Sequence, residues 1–110
     1  MNWNHLARTL VLTAALIISP LSFAESVWID VRSQAEYDED HIEGDVFIPH
    51  EEIVGRVSEM FPDKTTEIHL YCRSGGRAGR AMNALEDAGY TNVSNAGGIE
   101  DAREARALGD

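Results

Sequence analysis

The run Cys72-Arg73-Ser74-Gly75-Gly76-Arg77-Ala78 holds the residues of this chain best suited to chemistry. Cys72 is the single cysteine, so neither an internal disulfide nor a Cys-based zinc cluster can form. It follows Ile68-His69-Leu70-Tyr71, which reads as a buried strand delivering the thiol at its carboxyl end, where open α/β sheets place ligand sites. Gly75 and Gly76 permit backbone angles that turn successive N–H groups inward as a cradle. The helix predicted to follow aims its positive end at the same point. Both features stabilise a thiolate or a bound anion. From Ile68 to Leu85 there are three arginines (Arg73, Arg77 and Arg80) and no acid. An anion pocket around a reactive thiol is the expectation, against the bland alternative of an inert buried cysteine. Arg80, one turn into the helix, suits a solvated surface as well as it suits the pocket.

The elements that must position this loop can be read from patterning. Val27–Val31 is rich in β-branched and aromatic residues and predicts a strand. Ser33-Gln34-Ala35-Glu36 is a capping-box pattern that starts a short helical turn. Val46-Phe47-Ile48 predicts a brief strand ended by Pro49. Ile53, Val54, Val57, Met60 and Phe61 recur at helical spacing, and Pro62 closes that helix. Glu67–Tyr71 is the strand before the loop, and Ala78, Ala81, Met82, Leu85 and Ala88 mark a helix stopped by Gly89. Asn92–Asn95 is a last short strand, followed by Gly97-Gly98 and a charged helix, Glu100–Leu108. Strands alternating with helices predict an α/β domain with a mainly parallel sheet. Strand order is not written in this pattern.

Charge and the first residues narrow the class. The 110 residues carry 9 basic and 19 acidic side chains, a net charge of −10. That balance disfavours nucleic acid and anionic membrane surfaces, which both need a basic face. Met1–Arg8 is a short region with Arg8 and no acid, and Leu10–Ile18 is apolar apart from Thr13. Pro20 and the small residues of Ser22-Phe23-Ala24 complete the pattern of a cleavable secretory signal. The apolar stretch is well short of the ~20 residues of a spanning helix. Residues 1–24 are therefore expected to be a signal peptide and residues 25–110 one exported, periplasmic domain with no membrane contact after cleavage. His41, His50 and His69 lack paired metal-ligand spacing, and no metal site is expected.

Several ordered segments together resemble the single-domain rhodaneses. They are Trp28-Ile29-Asp30-Val31-Arg32, Glu36-Tyr37, His41-Ile42-Glu43-Gly44, Ile48-Pro49, the loop Cys72–Arg77, and Asn95-Ala96-Gly97-Gly98. The resemblance implies a rhodanese-like domain with a five-stranded, mainly parallel sheet flanked by helices. It also implies that Cys72 is a sulfur-carrying nucleophile, with Arg73, Ser74, Gly75, Gly76, Arg77 and Ala78 binding the substrate. Asp30 and Arg32 lie near the active site in that family, and Arg32 with Glu36 organises the turn at His41–Gly44. A supporting, structural role for Asp30 and Arg32 is favoured over direct catalysis.

The activity implied is double displacement. Cys72 takes the outer sulfur of thiosulfate as a persulfide and passes it to cyanide or a thiol, without cofactor or metal, in a monomeric protein. Cysteine phosphatases fit less well, because four residues separate Cys72 from Arg77, one fewer than a phosphate-wrapping loop needs, and position 78 is alanine. A dithiol oxidoreductase lacks its second cysteine. A non-enzymatic sulfur carrier or sensor on the same fold stays open.

Overall fold

The computed structural model describes residues 26–109. The predicted leader, residues 1–24, lies outside them. The elements run β1 (Val27–Asp30), α1 (Gln34–Glu39), β2 (Val46–Phe47), a 3-10 turn (His50–Glu52), α2 (Ile53–Met60), β3 (Ile68–Cys72), α3 (Gly76–Asp87), β4 (Val93–Gly98) and α4 (Ile99–Ala105). The strands form one sheet in the order β2-β1-β3-β4, and every pairing is parallel. The α/β class and parallel sheet thus follow the sequence patterns. The strand count does not follow the resemblance, which implied five. Four strands pair among the described residues, each where patterning places one, and the intervening segments are helices and turns that leave no run for a fifth.

Two ends shift for local reasons. β4 extends past Asn95 to Gly98, which pairs with Cys72 across a register irregularity between Leu70 and Cys72. α4 stops at Ala105, short of Leu108, because Ala107 takes a left-handed φ of 55° and the Leu108 N–H closes onto the Arg103 carbonyl at 2.8 Å.

Alternation along the strands sorts their side chains into two layers. Ile29 and Val31 from β1 and its end, with Ile68 and Leu70 from β3, pack with Ile53, Val57, Ala81 and Leu85 of α2 and α3. Each buried Ile, Val or Leu among them contributes about 1.5–3 kcal/mol. Trp28 and Tyr71 face the opposite side, with Ile42, Ile99 and Ala102. Cys72 has the parity of Ile68 and Leu70, so its side chain ends β3 on the face that α3 covers. That parity aims the sulfur at the start of α3.

Candidate active site

Cys72 is 1% exposed and is the last residue of β3. The chain must then reverse from strand into helix within three residues. Gly75 makes this possible with φ at +102°, a left-handed conformation that side-chain-bearing residues rarely adopt. As the cap of α3, Gly75 also has no side chain to compete for the first N–H groups of the helix. Those groups turn to the sulfur instead. The Gly75 N–H donates to Sγ at 2.9 Å, and the N–H groups of Ala78, Ser74 and Arg77 act on the same atom. Burial pushes the thiol up, but these four backbone donors outweigh it and hold the pKa below the ordinary cysteine value. Of the N–H groups expected to turn inward, that of Gly75 is placed on the sulfur.

Part of β4 braces the loop from behind. Asn95 Nδ2 donates to the Gly75 carbonyl at 2.9 Å, while its Oδ1 accepts from the Gly97 N–H at 2.8 Å. A Cβ on Gly98 would sit 2.3 Å from the Arg73 carbonyl oxygen, so the two backbones approach at a distance glycine alone allows. The Gly98 N–H is held by Asp101 Oδ2 at 2.8 Å.

The arginines of the loop differ in state. Arg77 forms a two-pronged pair with Glu36 of α1, Nη1 to Oε1 at 2.7 Å and Nη2 to Oε2 at 3.0 Å. That carboxylate raises the Arg77 pKa, with a smaller contribution from the Cys72 sulfur. The sequence expectation of Arg77 as an open donor to an anion is therefore refined: its fork is already engaged. Arg73 is 73% exposed, with Nη1 3.8 Å from Glu36 Oε2. Gly76 and Arg80 are exposed on α3, Ser74 is exposed in the loop, and Ala78 is buried. A cavity of about 330 Å³ opens on this side, lined by Arg32, Glu36, Glu39, Asp40, Arg73 and Glu100 with Ile99. A larger concavity of about 460 Å³, lined by residues including Asp40, His41 and Leu108, contains no residue of the Cys72 loop, so size does not locate the chemistry.

Asp30 and Arg32 form a buried ion pair, with Nε to Oδ1 at 2.9 Å and Nη2 to Oδ2 at 2.8 Å. Arg32 Nη2 also donates to the Asp40 carbonyl at 2.6 Å. The pair thereby ties the end of β1 to the end of α1. The implied partnership of Arg32 with Glu36 is corrected: Glu36 pairs with Arg77. The turn at His41–Gly44 is held by His41 itself, which bridges the Tyr37 carbonyl at 3.0 Å and Glu43 at 2.8 Å.

Three contributions escaped sequence reasoning. Glu36 carried a signal, the capping box, but that signal explains it locally and hides a partner 41 positions away. Asn95 stands in the Asn95-Ala96-Gly97-Gly98 motif with nothing local to mark its side chain, and its brace on Gly75 requires the β3–β4 pairing. Asp45, which accepts from the Tyr71 hydroxyl at 2.6 Å and pairs with Arg106 at 2.8 and 2.9 Å, had no local signal.

A parallel α/β sheet here ends a strand on a buried thiol that meets a backbone N–H at the start of a helix. The chain belongs to the rhodanese family: the Rhodanese-like domain model matches residues 13–105. It is 37% identical over 99 residues to the thiosulfate sulfurtransferase PspE of Escherichia coli K12, covering 90% of this chain and 95% of that one. Its structure is similar to that of a rhodanese with anions from E. coli, with a TM-score of 0.66 and 39% identity over 70% of this chain and 91% of the other. A Rhodanese_3 like domain from Anabaena sp. superposes with a TM-score of 0.68 at 29% identity, covering 77% of this chain and 97% of that chain.

Proposed function

We propose that this protein is a sulfurtransferase that moves sulfane sulfur from thiosulfate through a persulfide on Cys72. The observation that carries the proposal is the 2.9 Å hydrogen bond from the Gly75 N–H to the Cys72 sulfur at the start of α3, where the loop backbone holds the thiol pKa below the ordinary cysteine value. The similarity to a thiosulfate sulfurtransferase supports the choice of donor. In the first half-reaction the Cys72 thiolate attacks the outer sulfur of thiosulfate. The new S–S bond forms as the old one breaks, and its electron pair leaves with sulfite. In the second, cyanide or a thiolate attacks the terminal sulfur of the persulfide, and the bonding pair returns to Cys72 as thiolate. Both steps are displacements in which electrons balance, so they call for no metal or cofactor. The N–H cradle stabilises negative charge on the thiolate before each cycle and on the persulfide between half-reactions. Exposed Arg73 attracts the anionic donor, and Asp30 with Arg32 supports the frame. The protein acts as an exported monomer on small molecules.

Intact-mass measurement tests this directly. Thiosulfate alone should add one sulfur atom, cyanide added afterwards should remove it, and Cys72→Ser should show neither change. A thiol that never gains sulfur would overturn the proposal. Uptake without release to cyanide or to thiols would replace the enzyme with a sulfur-carrier module.

A further inference from the structure

The guanidinium fork best placed to meet an anion beside Cys72 is closed by a carboxylate of the same chain. Glu36 Oε1 accepts from Arg77 Nη1 at 2.7 Å, from the Ser33 N–H at 3.0 Å and from the Ser33 hydroxyl at 2.8 Å. Oε2 accepts from Arg77 Nη2 at 3.0 Å and lies 3.8 Å from Arg73 Nη1. We propose that Glu36 is a specificity-determining residue, which sets how strongly the Cys72 loop prefers anionic over neutral sulfur compounds. The proposal rests on Cys72 as the nucleophile of the function proposed above.

The geometry carries this in two ways. Ser33 caps α1 and holds Glu36 through both partners of the capping box, so the carboxylate is fixed by its own helix and Arg77 reaches across to it. The pair is also partly shielded, with Arg77 and Glu36 side chains 25% and 20% exposed, so solvent does not erase its charge. A two-pronged carboxylate satisfies the donors with which a guanidinium would otherwise grip an oxyanion. Beside the sulfur, Glu36 therefore cancels one positive charge and leaves the neutral backbone cradle and exposed Arg73 to attract an anion. A site tempered in this way accepts an anionic donor without holding its anionic product, and it also admits neutral sulfur donors and acceptors.

Alkylation of the folded protein reads this charge without requiring sulfur transfer. Iodoacetate and iodoacetamide differ by one charge, and each loses iodide to the same thiolate, so their rate ratio cancels any change in thiolate fraction. Glu36→Gln keeps the length of the side chain and an oxygen for Ser33. It should raise the iodoacetate-to-iodoacetamide ratio roughly fivefold at low salt, the order expected when one unit charge is removed from the partly solvated surroundings of the loop. Arg77→Gln, which leaves α1 and its cap untouched, should lower the ratio by a similar factor and carries the test even if Glu36→Gln does not fold. The double variant should return toward the wild-type ratio. A ratio unmoved in either folded single variant would overturn the role of Glu36. With both ratio shifts present, failure of thiosulfate to load sulfur would count against the proposed donor chemistry alone. Normal sulfur loading with unmoved ratios would count against Glu36 alone.

Discussion

Asn95 and Gly75, 20 positions apart, are joined by a 2.9 Å hydrogen bond from the Asn95 side-chain amide to the Gly75 carbonyl. The same Gly75 turns its N–H onto the Cys72 sulfur. One residue is thus gripped on its carbonyl by β4 while its amide donates to the thiol. The N–H that meets the thiol belongs to a residue held by a side chain that makes no hydrogen bond to the sulfur.

Asn95→Ala should therefore change reactivity more than it changes stability. Releasing the Gly75 carbonyl loosens the N–H that faces Sγ, so the thiol pKa should rise. Iodoacetamide labelling near neutral pH should slow about fivefold, the equivalent of one hydrogen bond of about 1 kcal/mol. Labelling across a pH series checks this, and a midpoint equal to that of the wild type would assign Asn95 to the surface.

Gly98 and Gly76 should respond oppositely to alanine. A Cβ on Gly98 meets the Arg73 carbonyl oxygen at 2.3 Å, whereas one on Gly76 meets nothing within 4 Å. Gly98→Ala should cost about 1–3 kcal/mol in urea unfolding and displace the Cys72 loop. Gly76→Ala, at the first position of α3, should be neutral or stabilising by up to about 1 kcal/mol.

Breaking the buried Asp30–Arg32 pair should be severe. Arg32→Ala leaves the Asp30 carboxyl at 0% exposure without its guanidinium partner and removes the donor to the Asp40 carbonyl, an expected loss of about 3–5 kcal/mol. Arg32→Lys should recover only part, because an ammonium cannot form both bonds of the fork. Equilibrium unfolding of the two variants gives the comparison.

Acid should dissolve the tie between Glu36 and Arg77. The Arg77 guanidinium, together with Ser33, holds the Glu36 carboxyl well below the usual carboxylate range. The folded state therefore binds fewer protons than the unfolded state just below the unfolded pKa of about 4.3. The stabilisation is complete above that value and is lost progressively as pH falls toward the folded value. The stability gap between wild type and Glu36→Gln should be flat above about pH 5 and shrink steadily below about pH 4. A constant gap down to about pH 3 would show that the pair contributes no pH-dependent stability.

Processing is the remaining expectation. If residues 1–24 direct export, the mature protein recovered from the periplasm should begin at Glu25 by mass spectrometry. A full-length species in the membrane fraction would assign those residues to an anchor.

Much of the frame was legible because it depends on local chemistry. The parity of Ile68, Leu70 and Cys72, the cap at Ser33, and the stops at Pro62 and Gly89 each follow from neighbours in sequence. So does the strand–glycine–helix order that surrounds Cys72. The α/β class, the four strands and the place of the thiol at a strand end needed no knowledge of distant contacts. The turn of the Gly75 N–H toward the sulfur was legible as well, since backbone N–H groups at a helix start require only a turn that glycine permits.

The partners of the charged side chains were decided by the tertiary structure. Strand order places α1 beside the Cys72 loop, and that placement gives Glu36 to Arg77, not to Arg32. Parallel pairing of β3 with β4 brings Asn95 to Gly75 and Gly98 to Arg73. Backbone conformation is governed by near neighbours, so a sequence displays it. A salt bridge has no intrinsic range along the chain, and any carboxylate of the right reach can take a guanidinium. Which one does is settled only when the sheet has chosen its order and the helices their sides.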